Sequence, residues 1–136
     1  MDESANTLEV ARRYSAAVNA RDWESLNHVL APDVVSFSHS SQHTSHGPQE
    51  IIGALQSTAG TFSDTQIEVT NAFAGGDEAC FQLVLHGTPG DDAQAPFTPG
   101  HPVQLASCHV YRVRDGQIVS ITTYSDRTWR PSNSGA

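Results

Sequence analysis

A chain of 136 residues that is 38% hydrophobic and 16% charged is one globular domain rather than a disordered segment. Its formal net charge of −8 argues against a nucleic-acid groove or an anionic membrane surface as partner. No stretch is apolar enough to span a bilayer, and MDESANTLEV has no signal-peptide pattern, so a cytoplasmic location is expected.

Asn6 followed by Glu9 fits a capping box and predicts a helix from about Thr7 to Ala20. Leu8, Ala11, Ser15 and Val18 share one side at helical spacing, with Tyr14 and Ala17 beside them. Asp22 can cap a short second helix with Trp23, Leu26, Val29 and Leu30 inward, ended by Pro32. Residues 33–39 read as a strand, followed by the polar loop SSQHTSHG. Pro48 suits the first turn of a third helix, with Ile51, Ile52 and Leu55 inward and an end near Gly60. Strands follow near 65–74 and 78–87, joined at Gly75-Gly76-Asp77. Residues 88–102 hold four prolines and read as a loop or flap. Residues 103–126 read as two strands joined by an Asp115-Gly116 turn. The tail from 129 to 136 is expected to be loose. Helix, helix, strand, helix and four strands predict an α+β fold: three helices on a curved, mainly antiparallel sheet enclosing one pocket.

Val103, Leu105, Ser107, His109, Tyr111 and Val113 alternate along the first of those last strands and share one face. That face is apolar except for Ser107 and His109, the pattern of a small-molecule pocket with polar inlays. The opposite face, with Gln104, Cys108, Arg112 and Arg114, is wetter.

Several segments together resemble the SnoaL-like group of the nuclear-transport-factor-two-like, cone-shaped α+β superfamily. They are RRYSAAVNARDWESLNHVLAPDVV, HGPQEIIGAL, HGTPG, TPGHPV and VYRVRDGQIVSITTYSD, which occur in family order and cover most of the chain. The resemblance implies one SnoaL-like domain over residues 1–136. The superfamily includes polyketide cyclases, ketosteroid isomerase, scytalone dehydratase, limonene-epoxide hydrolase and non-catalytic members. RRYSAAVNARD resembles the first helix of ketosteroid isomerase and places Tyr14 at its oxyanion-hole tyrosine. CHVYRV resembles the strand carrying that enzyme's protonated aspartic acid, and His109 stands there, as a pocket histidine does in the cyclases. The isomerase's base position is Ser38 here, so steroid isomerisation is not expected. The cyclases keep a catalytic aspartate in a Trp-Asp pair where this chain has Thr122-Thr123. Asp126 is the nearest carboxylate.

Each candidate has two readings. His109, with an ordinary pKa near 6.5, is a proton carrier or a structural histidine. Asp126 is a desolvated acid–base group, or a surface carboxylate paired with Arg127 or Arg130; a bulge near the turn would decide its face. Tyr14 is an oxyanion donor or a core tyrosine. Ser38, His39, Ser107, Tyr111, Phe62 and Tyr124 are expected to contact the ligand. His39, His43 and His46 crowd one loop but lack the other ligands of a metal site, and a solvated or pocket-rim loop is the expected reading. The two cysteines, Cys80 and Cys108, fall in predicted strands as buried free thiols. No phosphate loop, nucleophile elbow or dinucleotide fingerprint is present, and neither cofactor nor metal is expected.

The expected function is cofactor-independent acid–base chemistry on a small apolar, polyketide-like or polycyclic substrate: cyclisation, isomerisation or dehydration. The alternative is a non-catalytic small-ligand-binding domain. Epoxide opening needs an Asp-Arg-Asp set, and Arg112 is expected to face outward. A homodimer through the outer sheet face is expected, with neither nucleic acid nor membrane as partner.

Overall fold

The computed structural model describes residues 2–132. The elements are α1 (Glu3–Ala20), α2 (Trp23–Val29), β1 (Leu30–Ser38), β2 (His43–His46), α3 (Gly47–Thr61), β3 (Phe62–Gly75), β4 (Glu78–Pro89), β5 (Val103–Arg114), β6 (Gln117–Ser125) and β7 (Arg130–Pro131). They form a seven-stranded sheet in the order β2-β1-β6-β5-β4-β3, with β7 added to β5. Only β1 and β6 run parallel; the other pairs are antiparallel. The three helices pack on one face of this sheet, as the α+β pattern predicts.

α1 begins earlier than the Asn6 capping box suggested, because Asp2 caps it by accepting from the Ser4 N–H at 3.2 Å. The helix is pinned over the sheet at both ends. The buried Thr7 hydroxyl donates to the Gly76 carbonyl at 2.8 Å, and the Ser4 hydroxyl accepts from the Gly76 N–H at 3.0 Å. Near the other end, Asn19 accepts from the Ile67 N–H at 2.7 Å and donates to its carbonyl at 3.0 Å. Asp22 caps α2 through the Ser25 N–H at 3.1 Å. α2 stops at Val29, before Pro32, because Leu30 already turns extended to pair with Ile118. The proline therefore sits in β1, inside the register irregularity between Leu30 and Val35, where its missing N–H breaks no ladder bond.

The polar loop after β1 is shorter than expected. Its His43–His46 half is a strand that pairs with Val35–Ser38. The tail also differs from expectation: Arg130–Pro131 pair with Val103–Gln104, extending β5's partner beyond the end of β6. Trp129 packs 4.6 Å from Phe62, whose ring also meets Phe97 of the 90–102 loop at 5.1 Å. Residues 133–136 lie outside the described residues. Asp115 and Gly116 both have positive φ, 54° and 76°, the requirement of a two-residue turn with right-handed twist.

The core joins Val10, Ala11 and Tyr14 of α1, Leu26 and Val29 of α2 and Ile51 of α3 to Phe81, Leu83, Tyr111, Val113, Ile118 and Ile121 of the sheet. No helix among the described residues is long and apolar enough to cross a membrane.

Candidate active site

Residues paired across strands share a face. Ser38, Thr123, His109 and Phe81 stand opposite one another across β1, β6, β5 and β4. The neighbouring row is Ser36, Ile121, Tyr111 and Ala79; on the other side come Ser125, Ser107 and Leu83, then Leu105 and Leu85. This is the face that receives the helices. Its filling is uneven. Phe81, Leu83, Tyr111 and Ile121 are buried, but Ser36, Ser38, Thr123, His109, Ser125, Leu105 and Leu85 are only half-buried. Ile52 and Leu55 of α3 are likewise half-buried at the core's edge. On the β1–β6–β5 side the packing is therefore looser, and Ser38, Thr123 and His109 form a half-buried polar stripe there.

His109 Nδ1 lies 3.1 Å from the Tyr111 hydroxyl, and Nε2 has no hydrogen-bond partner among the described residues. Burial pushes the imidazole down to about 4, so it is neutral at pH 7. The Tyr14 ring lies 5.5 Å from that of Tyr111. Burial holds the Tyr14 phenol well above its usual pKa, so it stays protonated. Its hydroxyl makes no hydrogen bond among the described residues, and none of their fully buried side-chain polar atoms is orphaned, so the hydroxyl borders free space. A neutral imidazole with an unpartnered nitrogen can accept a proton, and an unengaged phenol can donate to a developing oxyanion.

Tyr111 is not a ligand contact as expected: it has no exposed surface and stands behind His109 as its hydrogen-bond partner. Ser107 is buried, 3.1 Å from the Ser125 hydroxyl. Ser38 is half-buried on the polar stripe, bonded to Ser40 at 3.2 Å. Phe62 lies far from His109: its ring packs on Gly87, opposite Val103, roughly 20 Å from His109 at about 3.3 Å per residue.

Asp126 and Tyr124 are on the wrong face. The β5–β6 register shifts between Arg112 and Val113, leaving Val119 without a ladder partner. Without that bulge the inward residues would be Thr122, Tyr124 and Asp126; the extra residue turns Ile121, Thr123 and Ser125 inward instead. Asp126 is exposed, 3.5 Å from Arg130, and its N–H donates to the Ala106 carbonyl. Tyr124 is 49% exposed and stacks on His39 at 4.4 Å, which puts His39 outside as well. His43 and His46 are exposed, and among the described residues no three His, Cys, Asp or Glu side chains cluster to hold a metal. Arg112 faces outward, paired with Glu78 at 3.2 Å. Cys80 and Cys108 are half-buried on the outer face rather than buried, with sulfurs 3.2 Å apart; burial and this contact push the Cys80 thiol up to about 11.

Ser15, one position of the helical stripe in the sequence, is buried, and its hydroxyl donates to the Ala11 carbonyl at 3.4 Å.

The lowered pKa of His109 makes stability depend on pH. The unfolded chain, with its histidine near 6.5, binds more protons between pH 4 and 6.5 than the folded one, so stability falls as pH drops through that window. The contribution reaches up to about 3 kcal/mol at 1.36 kcal/mol per pKa unit. His109→Gln should therefore lose less thermal stability between pH 7 and 4.5 than the parent; equal losses would place the histidine in solvent.

No curated protein matches the chain. Among solved structures, IdmH from Streptomyces antibioticus, a proposed polyketide cyclase, superposes with a TM-score of 0.80 at 25% identity, covering 88% of this chain and 91% of that one. A proposed polyketide cyclase from Xanthomonas campestris gives 0.82 at 23% identity, with 92% and 93% covered. An epoxide hydrolase of the LEH-like type from M. tuberculosis gives 0.74 at 18% identity, with 91% and 85% covered. The sequence profile of the SnoaL-like domain matches residues 11–121, and with the cone-shaped α+β fold around His109 this chain belongs to the SnoaL-like family.

Proposed function

We propose that this protein is a cofactor-independent enzyme of the polyketide-cyclase type. It acts on a small apolar, polyketide-like or polycyclic substrate by moving a proton, with ring closure, isomerisation or dehydration as the outcome, in secondary metabolism. The likeness to IdmH supports the substrate class. The observation that carries the reading is His109: neutral, half-buried on the helix-facing side of the sheet, and with no hydrogen-bond partner at Nε2 among the described residues. Nε2 takes a proton from a carbon next to a carbonyl. The Tyr14 hydroxyl donates to the enolate oxygen that forms. Thr123 and Ser38 hold polar edges of the substrate, and neighbouring apolar side chains bend it toward closure.

One observation favours a non-catalytic ligand-binding domain instead. With Asp126 outside, the rows around His109 carry no carboxylate, and Thr123 stands where the family's cyclases have their acid. Turnover and calorimetric binding of aromatic β-keto polyketide analogues separate the two. Turnover that depends on His109 supports the enzyme; saturable binding without turnover supports the binder. The ion-paired, outward Arg112 gives epoxide opening no support.

We also propose a homodimer through the outer sheet face, where Val35, Phe73 and Tyr124 are 37%, 53% and 49% exposed. Sedimentation at micromolar concentration should show twice the chain mass. A species of 14.6 kDa alone would exclude the dimer. The two free thiols fit a reducing compartment, and we propose the cytoplasm as its location.

A further inference from the structure

Two thiols meet on the outer face of the sheet. Cys80 of β4 and Cys108 of β5 are half-buried and free, with sulfurs 3.2 Å apart. The ladder sets Cys80 opposite Val110 and Cys108 opposite Gln82, so the two cysteines are diagonal neighbours. Side chains alternate faces along a strand, so the residues that follow them, Phe81 and His109, point to the helix side. Those two stand directly opposite each other. The thiol pair therefore lies on the reverse of the strand segments that carry Phe81 and His109.

The sulfurs need come only about 1 Å closer to bond. The backbone must give more. Diagonal neighbours on antiparallel strands stand about 7–8 Å apart at Cα, whereas disulfides usually span roughly 4.4–6.8 Å. Closing the bond thus draws β4 and β5 together at this point, and a bond closed across a wide pair is readily reduced again. Among the described residues no third His, Cys, Asp or Glu joins the sulfurs as a metal cluster, so the pair is a plain dithiol. Burial and the neighbouring sulfur push the Cys80 thiol up to about 11. The pair therefore rests reduced and answers to an excess of oxidant, since the thiolate is the reacting form.

We propose that Cys80 and Cys108 are an oxidative modification site, a cross-strand dithiol that closes to a reversible disulfide within one chain when a low-molecular-weight disulfide is in excess. One thiolate attacks a sulfur of the oxidant and releases half of it as a thiolate. The second protein thiolate then attacks the mixed disulfide and releases the other half. The protein loses two protons and two electrons, and the oxidant becomes two thiols. Because the bond lies within one chain, it needs no pairing of copies through the outer face. Drawing the strands together shifts the backbone beneath Phe81 and His109, so the oxidised form holds His109 differently. The effect on turnover rests on the function proposed above, while the modification itself does not.

The test incubates the folded chain with excess glutathione disulfide, blocks remaining thiols with iodoacetamide, and reads the intact mass and the peptides. The expected product has lost two hydrogens, carries no glutathione and no alkyl group, and yields one linked peptide pair containing Cys80 and Cys108. Dithiothreitol should restore both thiols. Cys80→Ser, which cannot close the bond, should instead keep one glutathione on Cys108. Thiols that stay free to alkylate, two stable glutathione adducts on the parent, or a disulfide between two chains would each overturn the site. The His109 imidazole signal in NMR, identified by its loss in His109→Gln, should move on oxidation and return on reduction. Turnover of the oxidised form should fall roughly tenfold or more, the scale for a small displacement of a positioned group. If the bond forms while the His109 signal and turnover stay unchanged, the modification site stands and its hold on His109 is overturned. If the bond forms and moves the His109 signal but neither form turns over substrate, the site stands and the enzymatic reading fails.

Discussion

Replacing His109 by glutamine is expected to lower kcat by about a hundredfold or more, the usual scale for removing a positioned acid or base. Glutamine is near the imidazole in volume and can still hydrogen-bond Tyr111, so the local packing is kept. The loss would then report the proton acceptor and not a collapsed site, and circular dichroism should match the parent. Asp126→Asn is the matched control. Asp126 is exposed, on the opposite sheet face, and its carboxylate pairs with Arg130 at 3.5 Å. Exposed pairs contribute little, so that variant should keep kcat within about twofold and stability within about 0.5 kcal/mol. If His109→Gln turns over substrate at the parent rate, the histidine is structural and the ligand-binding alternative gains. If Asp126→Asn loses as much as His109→Gln, the inward–outward assignment of β6 is wrong.

The second large effect is on stability. Phe81 has no exposed surface and stands directly opposite His109. Its ring meets Tyr111 edge-on at 5.3 Å, and the Arg12 guanidinium lies 5.7 Å from its centroid. Phe81→Ala should cost about 3–5 kcal/mol through lost transfer energy and the cavity left behind. Small domains have only about 5–15 kcal/mol in all, so a large part of the stability would go. Urea denaturation should show a lower midpoint at unchanged slope. Because Phe81 backs the His109–Tyr111 pair, the surviving folded fraction should also bind ligand less well. A loss under about 1 kcal/mol would mean that β4 does not pack as described.

Local chemistry determined much of this protein before any tertiary contact was known. Alternation along 103–113 placed Val103, Leu105, Ser107, His109, Tyr111 and Val113 on one face, and the ladder pairing keeps them together. Side-chain period in a strand is a covalent property, so it survives any packing. The Asp115-Gly116 turn, the cap at Asp22 and Pro48 in the first turn of α3 were legible for the same reason. The segments resembling the SnoaL-like group named the family that the profile over 11–121 matches.

Tertiary structure decided the rest. One unpaired residue, Val119, reversed which side of β6 faces the helices, taking Asp126 and Tyr124 out and putting Thr123 beside His109. No local signal marks that residue, because a bulge arises from how two twisted strands must meet, not from the composition of either. Tyr111 was recognisable as inward, but its complete burial depended on α1 lying across the sheet, with the Tyr14 ring 5.5 Å away. That is set by contacts 48 residues apart between Asn19 and Ile67 and 69 apart between Thr7 and Gly76. Whether a polar residue on an inward face meets ligand, void or a neighbouring hydroxyl depends on side chains brought from distant segments. For His109 those are Phe81 of β4 and Thr123 of β6, which stand opposite it across the ladders.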